Sequence, residues 1–251
     1  MDKMNDTIRP TRKDPSKLET LSACNTGQLQ CAACDSGSDS VFDLMKEPKA
    51  LERMATEKTE LVFKPGQHIF YEGNQPSGVY CISSGSVKLE SITENGNAHL
   101  IKICRAGDVL GHRALFAGEV FRASAVAVET TKVCFIPKNV LDQVLSLDQK
   151  ISANFLKRLA EEIGDLTVRY FHATDLSAVE RVAEALLYLK ENVGESVKIS
   201  RKEIAEFAGT TPETVMRTLA KFEKDGLIKL VGRRIEIINR KQLLKSAKIY
   251  V

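Results

Sequence analysis

The chain has 251 residues, enough for two domains with real cores. It is 43% hydrophobic and 27% charged with a formal net charge of +3, an ordinary globular composition that excludes fibrous and wholly disordered classes. No apolar run reaches the roughly 18 residues of a membrane helix, and Met1–Lys17 lacks an apolar signal core, so the expected location is cytoplasmic with no membrane partner.

In a reducing compartment the six cysteines are expected to be thiols or metal ligands rather than structural disulfides. The first part of the chain, 1–40, is polar and lacks periodic apolar residues, which predicts a flexible segment bearing Cys24, Cys31 and Cys34. A helix is expected over about Val41–Thr56. From Glu60 to Pro137 the pattern has period two, punctuated by turns such as Pro65-Gly66, Ser84-Gly85-Ser86 and Glu94-Asn95-Gly96-Asn97. Many short strands at this spacing predict a β jelly roll over 41–138.

The period becomes helical from Lys138 to about Thr174, predicted as one long helix. Its stripe includes Leu145, Ile151, Phe155, Leu159, Ile163, Leu166 and Tyr170. This is a candidate homodimer seam over 139–174, in coiled-coil style. The alternative is that the stripe packs on the barrel.

Residues 177–251 carry 15 Lys+Arg against 10 Asp+Glu, so the basic excess sits here, in the domain expected over 175–251. The order is strand, helix, turn, helix, hairpin. Ser200 and Glu203 form a capping box after the strand Val197–Ile199. Gly209 ends that helix. Thr210 or Thr211 caps the next, with Pro212 and Glu213 in its first turn. Val215, Leu219 and Phe222 recur at helical spacing, and two short strands flank Gly232-Arg233-Arg234. That is a winged helix-turn-helix. Candidate DNA contacts are Ser200, Arg201, Thr211, Pro212, Glu213, Thr214, Met216, Arg217, Lys221, Arg233 and Arg234. The fold class expected is α+β. The four histidines form no i,i+4 metal pair, and no nucleophile elbow or Walker-type phosphate loop appears, so an enzyme is not expected.

Jelly roll, long helix and winged helix-turn-helix together resemble the bacterial CRP/FNR transcription-regulator family. The motifs are Lys64-Pro65-Gly66-Gln67, Ser84-Gly85-Ser86-Val87-Lys88, Gly107-Asp108-Val109-Leu110-Gly111 and Gly209-Thr210-Thr211-Pro212-Glu213-Thr214-Val215-Met216-Arg217. The resemblance implies double-stranded DNA with a palindromic site near the TTG…CAA type as ligand, and RNA polymerase as partner. It assigns base reading to Glu213 and Arg217: a carboxylate accepts from cytosine N4, and Arg grips guanine O6 and N7. Met216 stands where FNR-type members often have Ser, and Pro212 replaces a residue that reads an outer guanine in CRP.

Two effectors compete. Cyclic AMP-binding members use a Glu on the ribose and an adjacent Arg-Ser/Thr pair on the phosphate. Here Gly111-His112-Arg113 carries His instead, and Arg122 is separated from Ser124, so cyclic AMP is disfavoured and His112 and Arg122 read as ordinary loop or surface residues. FNR-type members instead hold a 4Fe-4S iron–sulfur cluster on three N-terminal cysteines and one in the last barrel strand. The resemblance assigns the ligands to Cys24, Cys31, Cys34 and Cys134. The short gap is last here, Cys-x6-Cys-x2-Cys, whereas FNR-type members have it first. Zinc on the same thiolates, a Cys31–Cys34 thiol switch, or incidental thiols are the alternatives. Cys81 and Cys104 alternate within apolar strands and read as core thiols, with Cys104 as reserve ligand.

Overall fold

The structure, a computed structural model, describes residues 40–42, 45–92, 98–193, 200–232 and 234–248. The turn at Glu94–Asn97, the strand Val197–Ile199, Arg233 and the cysteines Cys24, Cys31 and Cys34 lie outside the described residues.

The first element is a helix, α1 (Pro48–Glu57). It is shorter than the sequence pattern suggests, because Pro48 has no N–H to donate and fits only the first helical turn. Val41, Phe42 and Met45 precede it and are buried without being helical.

The period-two region then forms β1 (Thr59–Phe63), β2 (His68–Phe70), β3 (Gly78–Ser84), β4 (Ser86–Ile92), β5 (Ala98–Arg105), β6 (Val109–Leu110), β7 (Ser124–Ala127) and β8 (Thr131–Pro137), with a short helix α2 (His112–Ala117) between β6 and β7. They pair into two antiparallel sheets in the orders β1-β8-β3-β6 and β2-β7-β4-β5. Phe70, Ile82, Val87, Leu110, Phe121 and Val133 fill the space between the sheets. Fully burying such a side chain contributes roughly 1.5–3 kcal/mol. The chain crosses from one sheet to the other at Gly85, where φ is +87° and a Cβ would stand 2.6 Å from Thr131 Oγ1. Only glycine fits that turn.

The predicted long helix is two helices. α3 (Lys138–Leu147) stops at Asp148, an extended residue with φ −130° and ψ 98°, and α4 (Gln149–Asp175) starts there. The Asp148 carboxylate accepts from Lys150 N at 3.1 Å and from Lys46 N at 3.2 Å, so it caps α4 and also fastens the residues before α1. The break resets the stripe. Ile151 and Phe155 turn inward and are 0% and 3% exposed, in one core with α1, α3 and the outer face of the β3–β8 sheet. Leu145 packs on that same core. These three residues therefore do not belong to a dimer seam, because their partners lie within the chain. The apolar residues that α4 leaves in solvent are Leu156, Ile163, Leu166, Val168, Tyr170 and Phe171; Leu159 is half-buried.

The C-terminal unit comprises α5 (Ala178–Val193), α6 (Arg201–Ala208), α7 (Pro212–Lys224), β9 (Ile228–Val231), β10 (Arg234–Ile237) and α8 (Arg240–Ser246). Ile204, Ala205 and Ala208 of α6 meet Val215, Leu219 and Phe222 of α7 over α5 and α8. Gly209 sits between α6 and α7 at φ 58°, the left-handed conformation that glycine adopts most easily. This core does not end at the domain boundary: Leu100 and Ile103 of β5 are buried in it.

Candidate nucleic-acid interface and sensor sites

Helix α7 is built to present one face. Thr211 caps it, accepting from Thr214 N at 3.3 Å, and Pro212 occupies the first turn. Val215, Thr218, Leu219 and Phe222 face the core, so Glu213, Met216, Arg217 and Lys221 face solvent. Glu213 and Arg217 are one helical turn apart on this outer face. The Glu213 carboxyl lies below its usual range, first through a backbone N–H and the Thr211 hydroxyl, then through the charge of Arg217. It is thus an anion ready to accept from an amino group.

Ser200 closes the predicted capping box: Glu203 N donates to Ser200 Oγ at 3.1 Å, and Ser200 N donates to Glu203 Oε2 at 2.8 Å. Its hydroxyl and that of Thr211 are engaged in holding helix ends, which leaves any role at DNA to their helix N-termini. Arg201 is half-buried at the start of α6, Thr214 is half-buried on α7, and Arg234 is exposed on β10 opposite Val231.

Cys134 lies on β8 directly opposite Cys81 on β3, and both face the core covered by Val41, Phe42 and Met45. Ser40 Oγ is 3.8 Å from Cys81 Sγ. Val41 O accepts from Asn154 Nδ2 of α4 at 2.9 Å. The chain therefore enters the described structure beside these two thiols, six positions after Cys34. Sequence reasoning placed Cys81 among core thiols and missed that it faces Cys134; the signal was available only in strand register. Cys104 does not fit its reserve role. It points into the space between the sheets, away from Cys134, and burial pushes its thiol up to about 12. Among the described residues no group of three or more His, Cys, Asp or Glu is placed to hold a metal ion. Cys134 offers a soft sulfur donor on β8 but is buried in this apolar core.

A cavity of about 540 Å³ lies between the strands and α4. Phe70, Leu110 and Phe121 make its walls apolar, and Lys102, His112 and Glu162 supply polar groups. His112 is not a surface residue: it is 5% exposed, with Nδ1 3.0 Å from Val109 O and Nε2 3.2 Å from Glu162 Oε2. Lys102 Nζ also reaches Glu162, at 3.0 Å. Burial alone would raise the Glu162 pKa, but the His112 hydrogen bond and the Lys102 charge outweigh it and hold the carboxyl at about 2. Arg158, one turn earlier, pairs with Asp108 on the loop before β6. These contacts rivet α4 to the strands. Arg122 is exposed and shares Glu119 with Arg113.

An exposed recognition helix beside a two-stranded wing, joined to a two-sheet roll, is the architecture of a DNA-binding transcription regulator. Residues 60–148 match the cyclic nucleotide-binding domain family, and residues 180–246 match the Crp-like helix-turn-helix domain family. Electron transport regulator A of Shewanella oneidensis is 27% identical over 242 residues, covering 88% of this chain and 92% of that protein. The fumarate and nitrate reduction regulatory protein of Vibrio cholerae is 28% identical over 73% of this chain and 76% of its own length. The CRP/FNR-family regulator TTHA1359 of Thermus thermophilus superposes with a TM-score of 0.66 at 25% identity, over 76% of this chain and 98% of that one.

The chain belongs to the CRP/FNR family of transcription regulators. Members bind DNA and act as dimers, and the family is one of regulators rather than enzymes. No helix among the described residues is long and apolar enough to cross a membrane.

Proposed function

We propose that this protein is a dimeric, sequence-specific regulator whose DNA binding responds to oxygen or redox state through a 4Fe-4S cluster on Cys24, Cys31, Cys34 and Cys134. The observation that carries this reading is the entry of the chain at Ser40 beside Cys81 and Cys134. The names of the relatives, electron transport regulator and fumarate and nitrate reduction regulator, agree with it. A bound cluster would supply an oxygen-sensitive iron centre. Ligation by Cys134 ties the segment carrying the other three cysteines to β8. Asn154 already fastens Val41 to α4, so the tie bears on the position of α4.

The seam is the solvent face of α4, with Leu159, Ile163, Leu166 and Tyr170 at its centre and Leu156 at its start. A two-fold pairing of these helices presents two copies of α7 to successive major grooves, about 34–36 Å apart. Glu213 and Arg217 read bases by the donor–acceptor pairing of cytosine N4 and guanine O6 and N7. Met216 reaches a thymine methyl. Pro212, Thr211, Thr214, Ser200 and Arg201 approach the backbone at the two helix starts, and Lys221, Arg233 and Arg234 neutralise phosphates. The site is a palindrome near the TTG…CAA type. The regulator works in the cytoplasm, beside the chromosome, and contacts RNA polymerase.

The test replaces all four cysteines by serine. The variant should fold, lose iron and lose DNA affinity under anaerobic conditions. Full affinity in the iron-free variant would sink the mechanism; zinc in the wild type would replace the cluster by a structural site. The 540 Å³ cavity favours a second reading, control by a small ligand. Cyclic AMP fits it poorly, because His112, at the ribose position, is committed to Val109 and Glu162. A rise in melting temperature with cyclic AMP would favour that second reading.

A further inference from the structure

Among the described strands β5 lies at an edge, hydrogen-bonded to β4. Its register with β4 slips: Leu89 faces Lys102, and the next residue, Glu90, faces Leu100, leaving Ile101 as an extra residue. Such a bulge breaks the alternation of side chains and frees backbone groups. Both consequences are used. Leu100 and Ile103, three residues apart, both bury themselves against α5 and α6. The Ile101 carbonyl accepts from Arg169 Nη1 of α4, and Ile103 N donates to Tyr188 Oη of α5 at 3.2 Å. Side chains of the helices thus cover an edge that another chain could otherwise pair with.

These two side chains meet a third. The Tyr188 ring stacks on Phe207 of α6, with centroids 4.5 Å apart and planes 17° apart. The Arg169 guanidinium lies 4.6 Å from the centre of the same Phe207 ring. The contacts close a ring, β5 to α5 to α6 to α4 and back to β5, joining the sensor strand, the long helix and the first helix of the helix-turn-helix. Arg105 Nη1 adds a bond to Glu191 O at 2.9 Å. None of the outward-facing residues Glu213, Met216 and Arg217 takes part. The ring holds the DNA-binding unit without covering its reading face.

We propose that Tyr188, Phe207 and Arg169 are positioning residues for DNA recognition: they latch the helix-turn-helix to the bulged edge of β5 and so fix the separation and tilt of the two α7 helices in a dimer. The latch rests on the reading of the protein as a dimeric DNA binder. Two sites engaged at once gain avidity only when their geometry is held. A latch of this kind therefore acts on binding to two half-sites and leaves binding to one untouched.

The test uses the full chain and two synthetic duplexes, one a palindrome selected by the protein from random sequence and one a single half-site of it. The variants are Tyr188→Phe, which keeps the ring and removes only the hydroxyl, and Phe207→Leu, which removes the stack and the cation–π contact. Both lie outside α4 and leave the seam intact. Phe207→Leu should weaken palindrome binding on the order of tenfold with half-site binding unchanged, and Tyr188→Phe should do so to a smaller degree. Equal losses on both duplexes would mean a merely structural role and overturn the latch. An unchanged ratio, or tighter palindrome binding, would overturn it too. A wild-type chain that binds neither duplex would instead overturn the DNA-binding reading beneath it.

Discussion

Ile151 and Phe155, near the start of α4, are sealed in the sensor core, whereas Ile163, Leu166 and Tyr170, farther along the same helix, stand in solvent at 57–68% exposure. The two stretches share a spacing and a composition. They differ in what the described residues offer them: the first is sealed by α1, α3 and a sheet, and the second stays largely exposed among the described residues. An apolar stripe reports that a helix has a partner, not whether the partner is the same molecule.

Truncating the two ends separates them most. Phe155→Ala should destabilise the chain by about 3–5 kcal/mol, the usual loss for an aromatic side chain in a sealed core. Ile163→Ala should cost the fold of the single chain under about 0.5 kcal/mol. Urea unfolding below the dimer's dissociation concentration measures both, and equal losses would erase the distinction. Ile163→Glu sharpens it from the other side. Two copies of the carboxylate would meet across the seam, so sedimentation should show a folded monomer where the wild type is a dimer. A dimer that persists would place the seam elsewhere.

Arg217→Ala should weaken binding to the preferred duplex by about 1–3 kcal/mol and relax the choice of base at one position, whereas Lys221→Ala should weaken all duplexes alike and lower the salt slope by about 1. Titrations at several salt concentrations distinguish the two.

The smallest effect concerns the rivet between α4 and the strands. The Glu162 carboxyl sits at about 2 in the fold against an ordinary 4.5. A depressed carboxyl contributes stability that is present above the ordinary value and is lost as pH falls toward the depressed one. Glu162→Gln should therefore flatten the fall in the urea midpoint between about pH 4.5 and 2. An unchanged acid limb would mean the contacts with His112 and Lys102 contribute nothing.

What the sequence discloses follows the range of the interactions. Ser200-x-x-Glu203, Gly209 and Thr211-Pro212 act within a few residues, and each stands where the spacing places it. The alternating strands are equally local. Asp148 was also legible, as an N-cap residue inside a periodic run, but the apolar period on either side masks it. The remaining features depend on register or on distant elements. Cys81 faces Cys134 only because β3 pairs with β8. His112 is buried because Glu162, fifty residues later, receives it. The Tyr188–Phe207–Arg169 contacts need a bulge at Ile101 that no turn residue announces.

The central claim is that this regulator carries an oxygen-labile cluster on its cysteines. The most direct measurement purifies the full chain anaerobically, counts iron and acid-labile sulfide, and follows the visible spectrum and duplex binding as air is admitted. The account predicts a brown protein with about four irons per chain, as a cluster held by four thiolates requires, that bleaches and loses DNA affinity together. A colourless, iron-free protein that binds the duplex equally well before and after air would contradict it.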